Sequence, residues 1–146
     1  MRHALSAEKA GRISIVDVSD PQRMEYVVAE AGTTEPQCRD GQVLNERWYY
    51  HQALFIDMDG DGLKDLVTAR ASFKPFLWKC PPTGELVWFR NPGKALRADV
   101  PWSVNVLVGL PGERNGPEVN MDLADLDADG VPEIIATHFF TSDHIT

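Results

Sequence analysis

The amino-acid sequence predicts an all-β fold, on three observations. Its apolar runs are short and consist largely of β-branched and aromatic residues, which favour strands. Gly, Pro and Asn separate these runs and mark turns between them. An acidic segment of nine residues also occurs twice, and an apolar run follows each copy. The predicted strands are Arg12 to Val16, Glu25 to Ala29, Ala53 to Ile56, Leu66 to Ala69, Leu86 to Arg90, Ser103 to Val108, Val119 to Ala124 and Ile134 to Phe139.

The first two predicted strands lie on either side of a polar turn. The runs Ile13-Ser-Ile-Val16 and Tyr26-Val-Val-Ala29 are apolar and rich in β-branched residues, and the residues between them include Asp, Ser and Pro. Residues 30–47 are polar and hard to assign, so no element is predicted there.

The next four predicted strands include runs that are apolar at successive positions. Ala53-Leu-Phe-Ile56 and Leu86-Val-Trp-Phe89 have the pattern of strands that are covered on both faces, so stacked sheets are expected. Asn91-Pro-Gly93 follows the second run with Pro and Gly placed as in a type II turn. The Pro- and Gly-rich residues 110–117 are predicted to form a loop before the last two strands.

The two acidic segments have the spacing of calcium ligands. They are Asp57-Met-Asp-Gly-Asp-Gly-Leu-Lys-Asp65 and Asp125-Leu-Asp-Ala-Asp-Gly-Val-Pro-Glu133, with carboxylates at positions 1, 3, 5 and 9 of each. Ca²⁺ takes roughly six to eight oxygens, and alternate side chains of one short loop supply several of them. Glycine at position 6 allows a sharp turn, after which the carbonyl at position 7 can face the ion. The predicted ligands are Asp57, Asp59, Asp61, Leu63 and Asp65 in the first segment and Asp125, Asp127, Asp129, Val131 and Glu133 in the second.

An EF-hand begins with similar spacing, but the sequence argues against one. An EF-hand needs a bidentate Glu at about position 12 and a helix on each side. Position 12 is Thr68 in the first segment and Ala136 in the second, and both flanks consist of β-type residues. Each segment is therefore predicted to be a strand–loop–strand calcium site.

The acidic segments also indicate a structural repeat. They begin at residues 57 and 125, 68 residues apart, which leaves room for about four strands, the content of one propeller blade. An eroded third copy is Asp17-Val-Ser-Asp-Pro-Gln-Arg-Met-Glu25, which keeps an acid at positions 1 and 9 but lacks the glycine at position 6. It is not expected to hold calcium.

These residues resemble the FG-GAP/VCBS repeat, whose units form the calcium-binding blades of integrin-α-like β-propellers. The matching residues are the two acidic segments, the strands after them (Asp65-Leu-Val-Thr-Ala69 and Glu133-Ile-Ile-Ala-Thr137) and the strand end Leu86-Val-Trp-Phe-Arg-Asn-Pro-Gly93. The resemblance covers roughly residues 12–139. It implies a partial β-propeller of four-stranded antiparallel blades, with a full blade at about 53–108 and partial blades at about 12–50 and 119–146. The remaining blades would be missing from this chain or supplied by another one.

The chain also departs from the family pattern. It has no Phe-Gly-x-x-x-Pro segment of the integrin type, which favours a generic VCBS role. Ala128 stands at position 4, where the first segment has Gly60, and Glu133 replaces Asp, so the second site is expected to be looser or to have its ligands differently directed. The first site is the better candidate.

Composition narrows the classes of partner. The net charge of −8 argues against nucleic acid, and the chain has no run of apolar residues long enough to span a membrane. The N-terminus does not read as a secretory signal. Cys38 and Cys80 form one disulfide or remain two thiols. An extracellular or cell-surface location is predicted because calcium modules with affinities of only ~10⁻⁴–10⁻³ M suit a calcium-rich exterior.

The expected function is recognition of a protein or glycan, as in adhesion, with calcium in a structural role. The alternative is the propeller module of a carbohydrate-active lyase or hydrolase whose catalytic residues lie outside this chain, and a structural spacer is a third class. Exposed aromatic side chains could stack on sugars, but packing is favoured for Trp88, Phe89 and Trp102, with Trp78 the best candidate for exposure. Arg47-Trp-Tyr-Tyr-His51 fits a recognition patch and core packing equally well.

Overall fold

The protein is built of antiparallel β-strands, as predicted. The computed structural model describes residues 11–19, 21–22, 25–30, 37–39, 42–45, 48–72, 83–94, 102–108 and 120–138. The strands are Arg12–Val16 (β1), Glu25–Glu30 (β2), Gln37–Arg39 (β3), Gln42–Asn45 (β4), Tyr49–Ile56 (β5), Asp65–Ser72 (β6), Thr83–Arg90 (β7), Ser103–Val108 (β8), Met121–Ala124 (β9) and Glu133–Ala136 (β10). Among these residues no helix has the length and apolar character needed to cross a membrane.

The largest sheet contains four strands in chain order, β5-β6-β7-β8, each antiparallel to the next. Its central strands pair in continuous register from Leu66 opposite Phe89 to Ser72 opposite Thr83. The register shifts on both sides of this pair, between Tyr50 and Ala53 on β5 and between Leu86 and Val87 in the pairing with β8. The four strands predicted between residues 53 and 108 therefore form one antiparallel sheet.

The described residues also form three two-stranded hairpins: β1-β2, β3-β4 and β9-β10. A backbone bond from the Trp102 N–H to the Val28 carbonyl, 3.0 Å long, joins the residue before β8 to β2. On the other side, the Met121 N–H donates to Gln52 Oε1 at 2.8 Å and joins β9 to β5. The four-stranded sheet is thus tied to a hairpin from each flank of the sequence.

The hydrophobic core consists of two layers, one on each face of the four-stranded sheet. The first layer combines Leu66, Val87, Phe89 and Trp102 with Val28 and Ala29 of β2. The second combines Val67, Ala69 and Leu86 with Met121 of β9. Neighbouring residues of β6 and β7 enter opposite layers because successive side chains of a strand point to opposite faces. The sheet is therefore packed between the β1-β2 and β9-β10 hairpins.

The prediction of two covered faces is confirmed for one strand and wrong for the other. Leu86, Val87 and Phe89 are buried, and Trp88 packs against the second layer. On β5, however, Phe55 is 51% exposed, whereas Leu54 and Ile56 pack against the second layer. β5 is an edge strand of the sheet, and over residues 53–56 only the face toward the second layer is covered.

Other differences concern where the predicted strands end and the segment in which no strand was predicted. The polar residues 30–47 contain β3 and β4, which were not predicted. The strand β10 ends at Ala136, and the predicted ends at Val119 and Phe139 lie outside the described residues, as do Cys80, Trp78 and residues 110–117. Gly93 has φ +59°, as the turn predicted at 91–93 requires.

We predict that shortening a leucine destabilises the fold only where the two-layer core is formed. Leu66 is 1% exposed and Leu126 is 68% exposed. Leu66→Ala is expected to lower the free energy of unfolding by about 2–5 kcal/mol through lost burial and a residual cavity. Leu126→Ala is expected to change it by less than about 0.5 kcal/mol. Urea unfolding followed by tryptophan fluorescence measures both, and similar losses in the two variants would contradict the layered core.

Candidate metal centre

Both acidic segments form the loop of an antiparallel hairpin. The first acidic loop, residues 57–65, connects β5 to β6 with Ile56 paired to Asp65. The second acidic loop, residues 125–133, connects β9 to β10 with Ala124 paired to Glu133. In each case the residue before position 1 pairs with the residue at position 9. The flanking elements are strands, so neither loop is an EF-hand.

The backbone of the two loops turns in the same way. Position 4 has a positive φ in both, +75° at Gly60 and +62° at Ala128, and so does position 6, +86° at Gly62 and +90° at Gly130. Glycine adopts this conformation freely, whereas for alanine it costs about 1–2 kcal/mol. Ala128 therefore holds the turn of the glycine that it replaces, under strain.

Backbone N–H groups hold the carboxylates of both loops in the same pattern. The position 1 carboxylate accepts hydrogen bonds from positions 5 and 6, position 3 accepts from position 5, and position 5 accepts from position 7. The two bonds to position 1, from positions 5 and 6, are 3.2 and 2.8 Å long in the first loop and 3.1 and 3.0 Å in the second. The bond to position 3 is 3.2 Å long in both loops, and the bond to position 5 is 2.9 Å long in the first and 2.7 Å in the second. The Gly60 N–H adds a 2.7 Å bond to Asp57 Oδ1 in the first loop. Asp57 Oδ1 thus accepts two bonds, whereas Asp57 Oδ2 accepts one and keeps a lone pair that it can offer to a cation.

Three carboxylates converge in each loop. Oxygens of Asp57, Asp59 and Asp61 lie within 4.8 Å of one another in the first loop, and oxygens of Asp125, Asp127 and Glu133 do so in the second. Two oxygens on opposite sides of a calcium ion are about 4.6–5.2 Å apart, because each lies ~2.3–2.6 Å from it. The donor chemistry and spacing therefore fit Ca²⁺. With no cation between them, like charges at this separation repel by about 1 kcal/mol per pair even in bulk water.

The position 9 residues close the two loops differently. Asp65 is fully buried, and its two oxygens accept from the Met58 N–H at 3.0 Å and from the Asn91 N–H at 2.7 Å. Glu133 is half-buried, accepts from the Leu126 N–H at 2.7 Å and also reaches the carboxylate cluster. The additional methylene of Glu133 allows this reach. The triplet of the second loop thus includes position 9, whereas the triplet of the first includes position 5.

The remaining predicted ligands lie beside these triplets. Asp65 and Asp129 belong to the loops but are not members of the two converging groups. At position 7, the N–H groups of Leu63 and Val131 donate to Asp61 and Asp129, and both side chains are exposed. Coordination by the carbonyls of Leu63 and Val131 stays a prediction.

Two residues at the end of β7 contact the first loop and were not predicted as part of the site. Arg90 Nε lies 2.6 Å from Asp59 Oδ2, and its Nη2 lies 3.6 Å from Asp61 Oδ2. Asn91 donates through its backbone to Asp65 and through Nδ2 to the Lys64 carbonyl at 2.9 Å. Each contact joins residues at least 26 positions apart in the sequence, so no local spacing connects Arg90 and Asn91 to the loop.

The eroded third copy is also a hairpin loop with the same closing pair. Val16 pairs with Glu25, as Ile56 pairs with Asp65 and Ala124 with Glu133. Asp17 Oδ1 accepts from both the backbone N–H and the hydroxyl of Ser19, at 2.9 and 2.6 Å. Glu25 forms an ion pair with Arg12 at 2.7 Å.

The aromatic residues considered for recognition are packing residues where the structure describes them. Trp102 and Phe89 are buried in the first core layer, and Trp88 packs against the second. Trp48 lies against Arg70, whose Cζ is 4.0 Å from the ring centroid, and Arg70 also forms an ion pair with the buried Glu85.

Tyr50 belongs to the same packed region. Its ring meets Phe89 edge-on, with the ring centroids 6.2 Å apart. Burial raises the pKa of the Tyr50 hydroxyl above its ordinary value, and Arg70 opposes that shift. Trp48 and Tyr50 therefore pack against neighbouring side chains, which favours the packing interpretation at these two positions.

No protein-family model matches the chain, and no curated protein or solved structure matches it either. The resemblance to FG-GAP/VCBS repeats therefore rests on the residues quoted above and stays a prediction.

We predict that glycine at position 128 relieves strain in the second loop. Ala128→Gly is expected to raise the free energy of unfolding by roughly 0.5–1 kcal/mol in chelator. Gly60→Ala is expected to lower it by about 0.5–1 kcal/mol, because the lower entropy of the unfolded chain offsets part of the backbone strain. A Cβ at Gly60 meets no atom within 4 Å, so no clash adds to that cost.

Ala53→Gly is the matched control, because Ala53 is exposed on β5 and has no positive φ. It is expected to lose about 0.5–1 kcal/mol. Urea titration measures all three variants, and a loss in Ala128→Gly equal to that in Ala53→Gly would show that position 128 is not strained.

Proposed function

We propose that the chain is a calcium-stabilised segment of an FG-GAP/VCBS-type β-propeller that serves extracellular recognition of a protein or glycan. The observation that carries the proposal is the repetition of one loop geometry. Two segments that are distant in sequence share their left-handed positions and their pattern of N–H to carboxylate bonds, and each gathers three carboxylates within 4.8 Å. A generic acidic turn has no reason to repeat all of these features.

The register of three hairpins supports the repeat. In each hairpin, the residue before position 1 pairs with the residue at position 9. The three pairs are residues 16 with 25, 56 with 65, and 124 with 133. A repeat protein uses one supersecondary unit several times and buries the faces of neighbouring units against each other. The unit in this proposal is the hairpin that begins each blade.

The stacking of the sheets also supports the proposal. Propeller blades are typically four-stranded antiparallel sheets. The sheet β5-β6-β7-β8 has that form, and the β1-β2 and β9-β10 hairpins cover its two faces. In this proposal those hairpins belong to the two neighbouring blades, and further blades complete the wheel from elsewhere in a longer chain or from another chain.

Calcium has a structural role in this proposal. All of the proposed oxygens in each loop come from one hairpin, so the ion would offset the repulsion among the loop carboxylates and hold the two strands together. Two bound ions would reduce the net charge from −8 to −4. Weak affinities of ~10⁻⁴–10⁻³ M suffice where calcium is abundant, which is the basis for the proposed extracellular location.

We predict that calcium stabilises the fold through both loops. With a Kd of about 10⁻⁴ M, 10 mM Ca²⁺ is expected to add about 2.7 kcal/mol per site and raise Tm by several degrees relative to chelator. Asp59→Ala and Asp127→Ala are each expected to remove part of this shift, and the double variant all of it. Position 3 is chosen because its carboxylate accepts only one backbone bond, 3.2 Å long, in each loop. Asp59→Ala also removes the ion pair with Arg90, so the calcium-dependent shift of each variant is measured from its own Tm in chelator.

Asp122→Ala is the control, because it removes an exposed acid of β9 that lies outside the loop. It is expected to keep the full calcium-dependent shift. Calorimetric melting with and without Ca²⁺ gives the result. A wild-type protein with the same Tm in both conditions, or a double variant that still responds, would contradict structural calcium.

We predict that recognition depends on the same ions. The protein is expected to bind a subset of acidic or neutral sugars on a glycan array in the presence of Ca²⁺, and to lose that binding in chelator and in the Asp59→Ala/Asp127→Ala variant. Turnover of a bound sugar would instead indicate the enzyme class. Binding that is identical in chelator would contradict a role for calcium in recognition.

A further inference from the structure

The two acidic loops differ in their positive neighbours. In the first loop the Arg90 guanidinium lies against Asp59 at 2.6 Å and near Asp61 at 3.6 Å. In the second loop, no cationic side chain of the described residues forms an ion pair with Asp125, Asp127, Asp129 or Glu133. Loops with the same backbone therefore have different electrostatic surroundings.

The position of Arg90 is set by the sheet. Arg90 is the last residue of β7 and pairs with Ser103 of β8. The next residue, Asn91, donates to the buried Asp65 at 2.7 Å and to the Lys64 carbonyl. The bonds of Asn91 thus fix the backbone beside Arg90 against the first loop, and the guanidinium reaches the carboxylates from there.

Arg90 and a calcium ion would compete for the same two carboxylates. Asp59 and Asp61 are two of the three residues whose carboxylates converge in this loop, and both offer Oδ2 to Arg90. A guanidinium keeps its charge at any physiological pH, so deprotonation cannot remove it from the site. It is 53% exposed and can move into solvent.

We propose that Arg90 is a built-in countercation of the first acidic loop, which stabilises the loop without metal and which calcium must displace or tolerate to bind. The inference rests on the proposed calcium function. It makes Arg90 a positioning and regulatory residue, since it sets the calcium concentration at which the first loop fills. The first loop, whose sequence fits the calcium pattern better, therefore binds more weakly than its ligands alone would dictate.

The size of the effect follows from the exposure of the ion pair. Exposed pairs contribute about 0.2–1 kcal/mol. Removing Arg90 is therefore expected to strengthen calcium binding at the first loop about 1.4- to five-fold, and the difference is expected to shrink as salt screens the charges. Metal-free protein is expected to melt slightly lower without Arg90.

The experiment uses the full chain with Asp127→Ala, so that calcium binding reports the first loop. Isothermal calorimetry with CaCl₂ compares Arg90→Gln, Arg90→Lys and Arg12→Gln in this background, and melting in chelator is recorded for each. Arg12 is a matched control, because it is also 53% exposed and pairs with Glu25 of the eroded loop. Arg12→Gln makes the same change in net charge at another hairpin.

The proposal expects tighter calcium binding in Arg90→Gln, a smaller gain in Arg90→Lys, and no change in Arg12→Gln. Unchanged or weaker binding in Arg90→Gln would overturn it, since Arg90 would then be neutral or helpful to the ion. Equal gains in Arg90→Gln and Arg12→Gln would also overturn it and indicate a general charge effect. Calcium binding by neither loop of the wild-type protein would instead overturn the proposed function.

Discussion

The first loop and the sheet both depend on the hydrogen bonds that the buried Asp65 carboxylate accepts. It is fully buried, and its oxygens accept one N–H from the loop, at Met58, and one from the end of β7, at Asn91. A buried carboxylate without such partners would cost several kcal/mol. The same group therefore closes the hairpin and fixes the next strand of the sheet beside the loop. Because the bond between Asn91 and Asp65 holds the end of β7 beside the loop, Arg90 of β7 can contact acids of the loop between β5 and β6.

Position 9 differs among the three hairpins in a way that matches its surroundings. Asp65 is buried and bonded to two segments, Glu133 is half-buried and bonded within its own loop, and Glu25 is exposed and paired with Arg12. The closing backbone pair is the same in all three. The hairpin register is thus independent of the closing side chain, whereas the coupling of loop to sheet depends on it.

The strands and the loop backbone could be predicted because their signals are local. The bounds of β1 and β8 were predicted correctly, and the glycines at positions 62 and 130 have the expected positive φ. The predicted covering of both faces of β5 was wrong, because an apolar run does not reveal which strand lies at a sheet edge. The strands β3 and β4 were missed because each is only three or four residues long and begins and ends with a polar residue. The contacts of Arg90 and Asn91 were missed because they depend on which strand lies next to the loop.

Among the described residues, positive charge is distributed unequally around the two loops, and this affects how much a bound cation would stabilise each. In the first loop, Arg90 offsets part of the repulsion and Asp65 ties the loop to β7, so much of its geometry is held by protein groups. The second loop is bonded mainly within itself, and its hairpin is joined to the sheet through Met121 and Gln52. Elements with fewer contacts and hydrogen bonds to the rest of the fold unfold locally at a smaller free-energy cost. A cation that binds only the closed form makes this local opening less favourable. Metal binding at the second loop would therefore act mainly by keeping the β9-β10 hairpin folded, and through it by stabilising the second core layer.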